Sequence, residues 1–155
     1  MKEKRLEILL WSIAFPGFGQ ILNNHLIKGL SFILLEVIIN FYSSFNLAII
    51  HSFHGDIMKA IEVTNYQWLM FYPCVYMFAV WDAYSHADGP CPKYAFLPFA
   101  FSAYSVTIGL IYSSRIELFG YIIGPVWLPI LFLIPGIACG LILRAILLQF
   151  QKNKK

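Results

Sequence analysis

Four long runs almost free of charge constrain this chain more than any other feature. They lie at roughly 29–50 (GLSFILLEVIINFYSSFNLAII), 67–85 (QWLMFYPCVYMFAVWDAYS), 94–113 (YAFLPFAFSAYSVTIGLIYS) and 118–148 (LFGYIIGPVWLPILFLIPGIACGLILRAILL). A helix needs about 20 apolar residues to cross a hydrocarbon core of about 30 Å, and each run supplies them. Only 12% of the 155 residues are charged, against about 25% in a soluble domain. So little charge cannot cover a soluble surface of this size. The expected class is an all-α integral membrane protein with four transmembrane helices, forming one membrane domain over 1–155. The fourth run is over-long and carries Pro125, Pro129 and Pro135, so a kink is expected there.

A fifth segment, Leu6–Leu22, is shorter and has Pro16-Gly17-Phe18-Gly19 at its centre. Proline removes a backbone donor and glycine weakens helix. Freed backbone groups at membrane depth need protein or water around them. The distribution of Lys and Arg separates the two ways of placing this segment. If 6–22 does not cross and the N-terminus is cytoplasmic, Lys2, Lys4, Arg5, Lys28, Lys93, Arg144, Lys152, Lys154 and Lys155 all lie inside. Only Lys59 and Arg115, of 11 basic residues, then lie outside. If 6–22 crosses, the basic residues divide almost evenly. The positive-inside rule therefore predicts a re-entrant or interfacial helical hairpin over 6–27, turning at Pro16, Gly17, Gly19 and Gln20. Both termini are then cytoplasmic, and 149–155 forms a basic cytoplasmic tail. The charged start followed by LEILLWSIAF resembles a leader, but Glu7 intrudes and FPGFGQ is no small-x-small cleavage site. The segment is expected to stay in place.

The loops follow from this topology. Residues 51–66 lie outside and are long enough for a short surface helix. Residues 86–93 (HADGPCPK) form a tight inner loop with two prolines. SIAFPGFGQIL and LFLIPGIACGLIL share a Pro-Gly, too short a match to establish a repeat.

Pro16-Gly17-Phe18-Gly19-Gln20, then Lys28-Gly29, then Trp81-Asp82-Ala83-Tyr84 form a pattern that resembles small bacterial membrane proteins of the two-transmembrane-helix domain type. The resemblance covers roughly residues 12–84. It implies membrane residence and little more, since such proteins mostly carry no assigned chemistry. Asn23 and Asn24 stand where that family has an aromatic residue and a glycine.

Glu36 is the most informative single residue. A carboxylate two turns into an apolar run must face the bundle interior, be paired, or be protonated. Asn40 lies one turn along on the same face. The site can handle an ion or proton, or it can be a buried polar contact between helices. Lys28, Glu36, Asp82 and Arg144 are all expected in the cytoplasmic half. There Arg144 pairs with Asp82 or Glu36, or Arg144 and Lys28 snorkel to the headgroups. Gln20, Asn23, Asn24 and His25 are expected to pack nearby, in the sharpest form around a polar cavity open to the cytoplasm. HSFHGD places His51, His54 and Asp56 close in sequence, but Gly55 interrupts them and a fourth ligand is missing, so no metal is expected. Cys91 is a juxtamembrane thiol open to acylation, with a free thiol the plainer expectation. Gly136 and Gly140 in GIACG form a Gly-x-x-x-Gly helix-packing face.

The chain carries no phosphate loop, His-Glu-x-x-His motif or nucleophile elbow. The expectation is a non-enzymatic, multi-pass protein of the bacterial cell membrane that acts as an interaction or assembly component, without cofactor. Its expected partners are the bilayer and another copy or another membrane protein, not nucleic acid. The alternative is a small transporter or ion-handling subunit with Glu36 as its protonatable residue.

Overall fold

A computed structural model describes residues 2–153. Its chain is all-α, apart from one two-stranded hairpin. The helices are α1 (Lys2–Ala14), α2 (Phe18–Leu22), α3 (Leu26–Ser43), α4 (Phe45–Phe53), α5 (Ile57–Val63), α6 (Tyr66–Leu69), α7 (Tyr72–His86), α8 (Leu97–Tyr112) and α9 (Gly124–Lys152). Strands β1 (Glu117–Leu118) and β2 (Tyr121–Ile122) pair antiparallel between α8 and α9.

The α1–α2 segment is a hairpin whose two ends lie at the same end of the bundle. Gly17 turns the chain with φ 103°, a conformation that a side chain resists. The short α2 then ends in a Schellman motif. The His25 N–H donates to the Gln20 carbonyl at 2.8 Å and the Asn24 N–H to Ile21 at 2.9 Å. Asn24 takes the left-handed position at φ 63°, which asparagine tolerates better than most residues.

Helix α7 is the ruler against which the hairpin can be measured. Lys4 of α1 reaches Asp88, just beyond the end of α7, and the Ile13 carbonyl accepts from the Tyr76 hydroxyl. The return leg descends again, with Gln20 at Ala79 and Asn23 at Ala83. His25 then meets His86 edge to face. The hairpin thus penetrates about ten residues along α7, or about 15 Å. From there α3 rises antiparallel to α7, with Phe32 at Phe78 and Tyr42 stacked on Trp68. On its other side α7 packs on α8, and α8 lies along α9.

Several sequence boundaries need correction. The run at 29–50 is not one helix: Ser44 adopts φ 56° and divides α3 from α4. The run at 118–148 begins helically only at Gly124, because Phe119 and Gly120 both have positive φ and close a β-hairpin. α9 continues unbroken through Pro129 and Pro135, with Pro125 in its first turn, and extends to Lys152. The start of the expected 149–155 tail is therefore helical; Lys154 and Lys155 lie outside the described residues. Among the described residues, only α3 and α9 are long and apolar enough to cross a bilayer on length and composition alone. α8 is apolar but has 16 residues and α7 has 15.

Candidate functional site

The two halves of the family-like pattern, some 60 positions apart, converge on one carboxylate. Asp82 is buried on α7. Its Oδ1 accepts from Lys28 Nζ at 3.2 Å, and its Oδ2 from Gln20 Nε2 at 3.2 Å. Gln20 is wholly buried and also donates to the Ala79 carbonyl at 2.7 Å. His86, one turn along, places Nδ1 3.3 Å from Asp82 Oδ1 and 2.8 Å from the Asp82 carbonyl. Asn23 Nδ2 adds a bond to the Ala83 carbonyl at 2.8 Å. The short α2 with its C-cap and the first turn of α3 are thereby tied to the last two turns of α7.

The glycines of the turn permit this approach. A Cβ on Gly17 would lie 2.5 Å from the Gly29 carbonyl oxygen, and one on Gly29 would lie 2.8 Å from that of Gly17. A Cβ on Gly19 would run into the Ser12 hydroxyl and Ala83. Ile8, Ala83 and Ala87 close an apolar cluster beneath. Pro16 sits at the start of the turn with its ring buried.

A second set of contacts fixes the mouth of the hairpin. Arg5 donates to the carbonyls of Ala87, Asp88, Gly89 and Pro90 at 2.9–3.3 Å. These follow the end of α7, whose terminal carbonyls have no partner within the helix. Its guanidinium also lies 5.3 Å from the centre of the Tyr84 ring. The sequence suggested only a charge on one side of the membrane for Arg5. The usable signal was a helix ending at HADGP, where Gly89 and Pro90 stop the helix and leave loop carbonyls for a distant arginine to meet.

Not all of the expected residues come together. Lys28 and Asp82 do. Glu36 is buried but level with Tyr72 in the first turn of α7, where the phenol approaches its carboxyl without a hydrogen bond of full geometry. That is about ten residues of α7, or about 15 Å, from Asp82, so Glu36 does not share the end of the bundle expected for it. Asn40 bonds Asn46 Oδ1 at 3.0 Å instead of joining Glu36. Arg144 pairs with neither acid; its Nε donates to the Lys93 carbonyl at 3.1 Å, where the loop after α7 meets α9. Asn24 serves the turn through its backbone. His51, His54 and Asp56 do not converge: among the described residues, no three His, Cys, Asp or Glu side chains are grouped to hold a metal ion. Cys91 is an exposed free thiol.

Gly136 and Gly140 face α8 of the same chain. A Cβ on Gly136 would lie 2.8 Å from Ser102 Cα, and one on Gly140 would overlap Pro98. The Gly-x-x-x-Gly face is filled internally and is not free for a second copy.

Chemically, the Asp82 cluster is a polar lock: Lys28, Gln20 and His86 all gather on one carboxylate, while the buried Gln20 Oε1 is left with no protein donor. No protein-family model, curated protein or solved structure matches this chain.

Proposed function

We propose that this chain is a multi-pass protein of a bacterial cytoplasmic membrane. In this reading α3, α7, α8 and α9 cross, α1–α2 enters from the cytoplasm and returns there, and both termini are cytoplasmic. One observation carries it: the long helices turn most of their large apolar side chains outward. Buried beside the apolar Ile8, Ile39, Leu69, Leu110 and Leu128 are the small or polar Ser12, Gln20, Ser43, Ala48, Ser52, Ala79, Asp82, Ala83 and Ser102. Side chains that face outward include Leu30, Leu34, Val37, Phe41, Ile130, Ile134 and Ile142. Only 22% of the apolar stretch of α3 and 11% of that of α9 is buried. A core helix of a water-soluble protein would be mostly buried. Lipid rewards this arrangement, because helices there associate through small residues and polar contacts rather than large apolar ones. Helices α7 and α8 are short for a full crossing, and flanking residues with local thinning of the bilayer make up the difference.

The role that fits is non-enzymatic: an interaction or assembly component, with the bilayer and a second membrane protein or another copy as partners, and no nucleic acid. The Asp82 cluster holds the hairpin in place; the nearby Ser85 hydroxyl lies 3.1 Å from His86 Nδ1 and donates to the Asp82 carbonyl at 2.9 Å, so it is held within α7. Single cysteines at positions 24, 55, 90 and 153, in a chain otherwise free of cysteine, test the topology. Positions 24, 90 and 153 should be labelled from the cytoplasm and position 55 from the opposite side. A further cysteine at position 3 should share the side of position 24; labelling of 3 and 24 from opposite sides would overturn the re-entrant arrangement.

A second reading rests on Glu36, a buried acid beside Tyr72. As a protonatable group it would make the chain a small transporter or ion-handling subunit. Glu36→Gln would then abolish a pH-dependent flux in proteoliposomes. A chain that carries no flux under any imposed gradient rules this out.

A further inference from the structure

The β1–β2 hairpin projects a side chain that its turn does not favour. The two central residues of the turn, Phe119 and Gly120, have φ 54° and 82°. A two-residue turn with both angles positive is ordinarily built from Asn-Gly or Asp-Gly. Phenylalanine in the left-handed region is an outlier, and such outliers gather where a function needs them. Phe119 is 101% exposed and Tyr121 76% exposed. No charge occurs between Leu118 and Leu143. From the hairpin the apolar surface continues without interruption along Ile122, Trp127, Ile130 and Leu131, which leads onto the outward face of α9.

The depth of this hairpin follows from α9. About 20 residues, or about 30 Å of helix, separate Arg144 from Gly124, and this matches the hydrocarbon thickness. With Arg144 at the cytoplasmic boundary beside Lys93, Gly124 lies at the opposite boundary. The hairpin begins just beyond it, in the layer where aromatic side chains gather. Phe53 packs on Trp127 at the same level and is itself exposed.

We propose that the 117–122 hairpin is a lipid-binding anchor, seating Phe119 and Tyr121 in the headgroup and carbonyl layer of the outer leaflet. Its ligand is the phospholipid surface itself, and its effect is to fix the depth and tilt of α9. The proposal rests on the membrane reading above.

The test is depth-resolved fluorescence of the full chain in phosphatidylcholine vesicles, comparing Phe119→Trp and Ile134→Trp with the parent protein. The emission added by Phe119→Trp should be blue-shifted and protected from acrylamide. It should be lost mainly to lipids brominated near the carbonyl end of the acyl chain. Ile134→Trp should be quenched most by lipids brominated near the chain terminus. If the Phe119→Trp signal is quenched by acrylamide and not by brominated lipid, while Ile134→Trp behaves as a deep site, the anchor is wrong and the membrane reading stands. If acrylamide quenches both, the membrane reading itself fails. Tyr121→Trp, a milder change outside the turn, should repeat the Phe119→Trp result. An aqueous signal at both hairpin positions overturns the anchor even if one variant is poorly folded.

Discussion

Of the two charges in the Lys28–Asp82 pair, only Lys28 can turn back to water. Its side chain is 49% exposed, against 7% for Asp82. The two truncations should therefore differ. Asp82→Asn removes the buried charge and leaves an acceptor for Gln20, while Lys28 rehydrates at little cost. Lys28→Met strands a buried carboxylate with only Gln20 and His86, and should cost roughly 2 kcal/mol, less than a fully buried pair because Lys28 is half in water. Asp82→Asn in the Lys28→Met chain should recover most of that loss, a coupling that unfolding of the four variants in mild detergent would measure.

The Lys4–Asp88 contact, 2.8 Å and exposed, behaves differently. The Lys4 ammonium, through its hydrogen bond and then its charge, holds the Asp88 carboxyl below the usual carboxylate range. A lowered folded-state pKa means that the link contributes at every pH above the ordinary carboxylate value. It is lost as the pH falls through the lowered value. Protection of α1 from protease should therefore hold through neutral and mildly acidic pH and lose this contribution only below about pH 4. At neutral pH, added salt should weaken it, because the pair is exposed.

At the scale of single elements, the turn glycines set how closely the hairpin packs. Gly19→Ala would push a methyl to 2.7 Å from the Ala83 Cβ and should cost about 1–3 kcal/mol by overpacking. Label access within 6–22 should rise, while α8 and α9 keep their protection. Gly140→Leu should instead separate α9 from Pro98 and Leu97 on α8. The variant should unfold more easily, with the oligomeric state unchanged on cross-linking.

The helical hairpin was legible because a Pro-Gly-x-Gly break interrupts the run at 6–22, and the chain does turn there, at Gly17. Gln20 and Asp82 were legible separately, but their contact across some 60 positions was not, because nothing local in either motif specifies the other. The division of α3 from α4 was hidden. Ser43-Ser44 lies within an unbroken apolar run, and the positive φ of Ser44 has no glycine to announce it. The β-hairpin was misread as helix for a related reason, since LFGYII is as apolar as a membrane span and its turn is Phe-Gly. Charge alone left Arg144 between pairing with an acid and snorkelling to the headgroups; its place in α9 brings it to the Lys93 carbonyl.

For the molecule as a whole, α3 and α9 turn most of their apolar surface outward, and the polar contacts gather at particular levels of the bundle. The Asp82 lock holds the hairpin at one end of the bundle, and α4, α5 and the β-hairpin lie at the other. Between them, α8 and α9 meet through Gly109, Gly136 and Gly140. Glu36 lies apart from both ends, so a role for it in ion handling can be tested without disturbing the lock. The grip of Arg5 on the carbonyls of residues 87–90 has a consequence for biogenesis. The Arg5 side chain is clasped by backbone made 82 to 85 positions later. Until that loop has been made, these four bonds cannot form, and α1 has to find its final seat after α7 is complete.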